Sequence, residues 1–220
     1  MKSTPQFVFV HVVLSVLGFL ALRSTDRTDL SIWAMVQATV CFALLLSVLL
    51  LGLANQKRRR ATIHVLGGAC GFAALAWDMM CFATFCVCVG GNTSLSTFLW
   101  IAAAGGALIL FVGWRHRTGD QIWELQVKSG RIDSAQKEYH PDVIVSGQAK
   151  GQAIAFPVSL GPAIGIILGR LVGGNLGLLF AGALMYAGFT LLLSMSWTHG
   201  IGIINRLRRE EADGKVFIVV

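Results

Sequence analysis

From Leu30 to Ala54 the chain carries no charged side chain, and this one run exceeds the ~20 apolar residues that cross a hydrocarbon core of ~30 Å. Five more apolar segments accompany it: Phe7 to Leu22, His64 to Gly90 interrupted only by Asp78, Thr97 to Trp114, Ala153 to Val172, and Leu176 to Trp197. Backbone groups in lipid find no water, so such segments must satisfy their N–H and C=O groups internally, as helices do. The last two are separated by Gly173, Gly174 and Asn175 and read as a hairpin. The expectation is an all-α integral membrane protein, a six-transmembrane-helix bundle. Composition agrees, with 55% hydrophobic and 13% charged residues, about half the ~25% charged share of soluble proteins. Mean hydropathy is +0.69. Met1, Lys2 and Ser3 ahead of an apolar run resemble a signal peptide, but no small-x-small site precedes Arg23, so the run reads as an uncleaved first span.

The formal charge of +7 does not indicate a nucleic-acid partner, because the basic residues sit in short segments between apolar runs and no soluble domain collects them. Topogenesis explains them better. If six spans place both termini on one face, 15 of the 18 Lys and Arg fall on that face, and only Arg23, Arg27 and Arg170 on the other. The densest group is Lys57, Arg58, Arg59 and Arg60. By the positive-inside rule both termini are expected to be cytoplasmic, and the expected location is a bacterial cytoplasmic (inner) membrane.

Four regions follow: 1–114 with the first four spans, a cytoplasmic loop over 115–152, a glycine-rich hairpin over 153–198, and a cytoplasmic tail over 199–220. In the loop, Gln121 to Val127 and Asp142 to Ser146 have strand-like character, and the tail ends in a third such run, Lys215 to Val220. A small cytoplasmic β element from loop and tail is one expectation. The other is that the Trp123 segment lies along the lipid interface as an amphipathic piece.

Gly161, Gly165, Gly169, Gly173 and Gly177 recur every fourth residue. On a helix this spacing makes a smooth stripe, and helices in lipid associate where small residues let backbones approach. Ala181, Gly182, Ala183, Ala187 and Gly188 extend it into the sixth segment. The stripe packs the hairpin within one subunit, or it forms a homo-oligomeric or partner-protein contact.

Asp78 lies near the middle of its span, where a carboxylate costs ~2.5–3.5 kcal/mol, while each apolar neighbour returns roughly 0.3–0.6 kcal/mol. The helix therefore inserts without a partner for the acid, yet an intramembrane acid is a functional-site candidate, as a proton or cation relay or half of an ion pair. Arg170 is the cation in reach on the external half. Cys70, Cys81 and Cys88 fall near one helical stripe with Cys86, and Cys41 lies on another helix. One straight helix cannot converge its ligands on a metal, so no metal and no cofactor is expected. His11, His64, His116, His140 and His199 look interfacial, suited to snorkelling or capping. No catalytic residues stand out.

The leading expectation is a non-enzymatic inner-membrane protein working through helix–helix contacts, as a subunit or inhibitor of a larger machine of the secretion or conjugation type, including exclusion or immunity roles. Its partners are the lipid bilayer and a second copy or another membrane protein. The alternative is a small ion or solute transporter or channel with Asp78 as its titratable group. A membrane redox enzyme or metal carrier using the five cysteines is a third class.

Overall fold

The computed structural model describes residues 4–116, 119–143, 175–195, 200 and 202–220. They are mostly helical. In chain order they form α1 (Thr4–Arg23), α2 (Thr28–Arg58), α3 (Ala61–Phe85) running on through a π-turn at Cys86–Gly90, α4 (Leu95–His116) and α5 (Gly119–Lys128). Strands β1 (Ile132–Asp133) and β2 (Glu138–Tyr139), helices α6 (Asn175–Met195) and α7 (Gly202–Ala212), and strand β3 (Ile218–Val219) complete the set. Among the described residues three helices are long and apolar enough to cross a membrane: Thr28–Arg58, Ala61–Gly90 and Asn175–Ser194. Two shorter apolar stretches, His11–Arg23 and Leu95–Ala107, accompany them. The expected fifth span, Ala153 to Val172, lies outside the described residues.

Helix α3 is the hub, packing against α1, α2 and α6. Small residues make this possible. Ala74, Ala76 and Ala83 on α3 are fully buried, so neighbouring backbones come close and gain van der Waals contact that lipid would not supply. Gly182 of α6 lies against the π-turn, where a Cβ would sit 2.6 Å from Val87 Cγ2 and 3.3 Å from the Val87 amide nitrogen. A Cβ on Gly90 would likewise meet the Cβ of Leu178. The outer surfaces stay apolar, with Phe42 66% and Trp100 77% exposed, as suits side chains meeting acyl chains.

Two tight connections set the helix directions. At one end Arg27 donates to Asp29 at 2.7 Å and reaches the carbonyls of Cys88 at 3.0 Å and Thr93 at 3.1 Å, tying the α1–α2 turn to the end of the π-turn. At the other, α2 stops at Arg59 in the left-handed region (φ 46°), whose amide bonds Asn55 O at 2.8 Å, and α3 starts two residues later. A non-glycine residue in this region carries strain. The tail offsets it: Val219 N bonds Arg59 O at 2.7 Å and Ala61 N bonds Phe217 O at 2.9 Å.

This basic end of α3 carries a small polar cap. β1 pairs antiparallel with β2, and β2 pairs parallel with β3 from the tail, so loop and tail do share a sheet. Its loop strands are not the expected ones. Gln121 to Val127 is helical, part of α5, because Ile122 and Gln126 point inward one turn apart while Asp120 and Lys128 sit at the dipole-favoured ends. The hairpin forms instead where Asp133 Oδ1 accepts from the amides of Ala135 at 2.9 Å and Gln136 at 3.0 Å, a local Asx-type turn, and Lys137 takes φ 58°. Asp142 and Val143 lie beyond β2 in no strand, and the rest of that run is outside the described residues. A second core holds the cap together, with Ile132, Tyr139, Leu207 and Phe217 packed on Ala61 and Val65 of α3.

Phe217 is 1% exposed and stacks edge-on against Trp123 with centroids 5.7 Å apart. Phe217→Ala is expected to destabilise the cap by about 3 kcal/mol, in the range for buried Phe truncations. Limited proteolysis in detergent checks this: the tail of the variant is cleaved first, whereas equal protection of both proteins contradicts the packing.

Candidate functional site: a buried histidine–aspartate couple

Three helices each contribute two polar residues one turn apart: His11 and Ser15 from α1, Gln37 and Cys41 from α2, Asp78 and Cys81 from α3. Spacings of three and four residues put both members of each pair on one helix face. The faces converge on Asp78. His11 Nδ1 lies 2.6 Å from Asp78 Oδ2, Ser15 Oγ donates to Oδ1 at 2.8 Å, and Cys41 Sγ makes a weaker contact with Oδ1 at 3.6 Å. His11 and Asp78 are 1% and 0% exposed.

The protons can be counted. His11 Nε2 lies 3.4 Å from the carbonyl oxygen of Cys41, a group that only accepts, so that contact is a hydrogen bond only when Nε2 carries its proton. One further proton then lies between Nδ1 and Oδ2, whether on the ring or on the carboxyl. Either way the couple is neutral overall. Adding a proton makes it cationic and removing one makes it anionic, and in a low-dielectric interior either charge is far more costly than in water. The short separation and flanking Ser15 donor are what a carboxylate out of water requires.

A second polar layer lies along the α2–α3 seam. Cys81 Sγ donates to Gln37 Oε1 at 2.8 Å, leaving Gln37 Nε2 without an acceptor. The indole N–H groups of Trp33 and Trp77, whose rings are 6.4 Å apart, are also buried without acceptors. Buried donors usually find partners, so three such groups in one seam form an unusual concentration of unused polarity.

Of the residues named from the sequence, His11, Cys41, Asp78 and Cys81 meet here, and Ser15 and Gln37 join them. Asp78 stands at its centre with His11 as its partner; Arg170 lies outside the described residues. His11 does not snorkel to an interface; it is buried against α2 and α3. The reason is axial offset. At ~1.5 Å per residue the 30 residues of Ala61–Gly90 span about 45 Å, well beyond a ~30 Å core, so the start of α3 belongs to the cap and Asp78 comes level with the middle of α1. The spacing of His11 and Ser15 was a readable signal, yet it could not show which helix it faced.

Other expected residues are distributed elsewhere. Cys41 and Cys81 join the site, Cys70 is half-buried apart from it, and Cys86 and Cys88 are buried in the π-turn. Among the described residues no three His, Cys, Asp or Glu side chains are placed to hold a metal ion. Lys57, Arg58, Arg59 and Arg60 are exposed at the α2–α3 turn. Gly161, Gly165, Gly169 and Gly173 lie outside the described residues; Gly177 is buried in the first turn of α6. His64 Nδ1 meets Asn55 Nδ2 at 3.3 Å, and His140 pairs with Glu138 at 3.4 Å.

Helices of membrane-spanning length, a small polar cap and a buried His–Asp couple between three helices define the class. No family profile, no curated protein and no solved structure matches the chain.

A double-mutant cycle tests the couple. Asp78→Leu leaves His11 buried without its carboxylate and is expected to cost about 3 kcal/mol, whereas Asp78→Leu combined with His11→Leu costs clearly less than the sum of the two single changes. Thermal unfolding in detergent measures both. Additive losses would show that the two residues do not act as a unit.

Proposed function

We propose that the chain is a small non-enzymatic transporter or channel for an ion or solute, with the His11–Asp78 couple as its titratable group. The carrying observation is the couple itself, one exchangeable proton held in a buried site between three helices. Ionisable groups at membrane depth are expensive and mark proton or ion pathways by default. Gain or loss of that proton changes the net charge of a buried site by one, and the Ser15 and Cys41 contacts to Asp78 Oδ1 tie this change to the packing of α1 and α2 on α3. The unpartnered N–H groups of Trp33, Gln37 and Trp77 add a polar seam beside it. In this reading six spans cross a bacterial inner membrane with both termini cytoplasmic, and the polar cap with its basic turn faces the cytoplasm.

The test is flux in proteoliposomes carrying a pH-sensitive dye under imposed proton and cation gradients. The parent protein is expected to conduct, and Asp78→Asn, which preserves size and removes the ionisable group, to lower the rate at least about tenfold. A parent protein that passes neither protons nor ions refutes the reading.

A second reading rests on a separate observation. Leu176, Phe180, Ala183 and Ala187 recur at helical spacing on α6 and are exposed among the described residues, while Gly182 and Gly188 are buried. The small pair Ala183 and Ala187, one turn apart on this face, suits a close helix contact. On it the protein is a subunit or inhibitor of a secretion- or conjugation-type machine, including exclusion or immunity roles, or a homo-oligomer, with the Gly161–Gly177 ladder as part of the contact. Gly165→Leu with Gly169→Leu is then expected to abolish complex formation and leave insertion intact. Unchanged co-purification of partner or second copy from mild detergent counts against it.

A further inference from the structure

A second polar site lies where α3 leaves the cap. A cavity of about 100 Å³ opens between the first turns of α3, the end of α5, the hairpin and the start of α7. That exceeds the ~30 Å³ share of one liquid water. His64, Gly68 and Phe72 on α3, Gln126 on α5, Arg131 beside β1 and Tyr139 on β2 are among the lining residues.

Its chemistry is mixed in a specific way. Arg131 places a permanent cation in the wall, its guanidinium 5.4 Å from the centre of the Tyr139 ring and donating to Pro141 O at 3.3 Å. The His64 ring packs against Tyr139 with centroids 5.8 Å apart. His64 Nδ1 lies 3.3 Å from Asn55 Nδ2, and the imidazole supplies a second polar side chain in the wall. Against these anion-favouring features stands one acceptor: Gln126 is 2% exposed and its Oε1 has no hydrogen-bond partner. An anion alone would leave that oxygen unsatisfied. A ligand joining an anion to a hydroxyl satisfies both sides.

Depth narrows the source. With about 45 Å of helix and a ~30 Å core, roughly ten residues of α3 extend past the hydrocarbon, and Ala61 and Val65 already belong to the cap core. Residues 64–70 therefore sit at headgroup level, with Phe72 at the edge of the hydrocarbon. Gly68 and Phe72 are exposed beside the cavity, Phe72 by 40%, so the mouth has an apolar lip on the side of the acyl chains.

We propose that this cavity binds the phosphate ester of a small polyol, with the phosphate on Arg131 and His64 and a polyol hydroxyl donating to Gln126 Oε1. The headgroup of phosphatidylglycerol has this chemistry, and so does soluble glycerol phosphate. Native mass spectrometry of the full chain in detergent separates the sources. Phosphatidylglycerol is expected to be retained about tenfold more tightly than phosphatidylcholine, and millimolar glycerol phosphate not to displace it. Displacement by glycerol phosphate, or its binding in lipid-free protein, keeps the ligand class and assigns a soluble source.

Arg131→Gln is expected to weaken phosphatidylglycerol binding about tenfold. Because Arg131 also packs on Tyr139, a second variant addresses the acceptor. Gln126→Leu should keep phosphate affinity while erasing the preference for phosphatidylglycerol over phosphatidic acid, whose headgroup lacks the polyol. A parent protein that binds phosphatidylglycerol and phosphatidylcholine equally overturns the proposal, and so does full retention of both preferences in the two variants.

Discussion

A carboxylate in the middle of an apolar helix must be neutralised where it stands, and the arrangement of the first three helices follows from how this is done at Asp78. The acid draws His11 and Ser15 from α1 and brings Cys41 of α2 within reach of the same oxygens. Apolar burial cannot hold helices together in lipid, because acyl chains are as apolar as leucine; directional polar contacts and close packing must do so. The couple supplies the directional part. It also fixes axial register, since sliding α1 by one residue moves His11 ~1.5 Å along the axis and breaks a 2.6 Å contact.

Close packing supplies the rest. Alanines on α3 and the glycines at the π-turn and on α6 let α3 serve as a hub with thin sides. The π-turn at Cys86–Gly90 widens the helix where Gly182 of α6 comes against it, and insertions of this kind often accompany functional sites. The same helix then outruns the bilayer. Its first turns become the floor of the cap, so a helix bearing the buried acid also carries the sheet, the tail and the polar cavity.

The membrane character, the approximate helix bounds and the weight of Asp78 were legible in the sequence, because they depend on local apolar length and on the cost of one charge. The loop strands were misplaced for a local reason. Gln121 to Val127 has β-branched and aromatic residues, but its inward positions repeat at the helical interval, and docking on α7 rewards that period. The turn at Asp133 forms from side chain to backbone bonds that pattern reading passed over. That His11 answers Asp78 is not legible in the sequence, because local pattern carries no information on the relative depth of helices far apart in the chain.

Sequence alone therefore determined that this chain needs a bilayer, that it is built of helices, and that one acid sits at a depth where it must be answered. Those properties are sums over neighbouring residues along the chain. Which residue answers it, and that Gln126 and Arg131 share a cavity with His64, was decided only by tertiary packing. Relative helix depth and rotation come from contacts between segments far apart in the chain, and no local pattern encodes them.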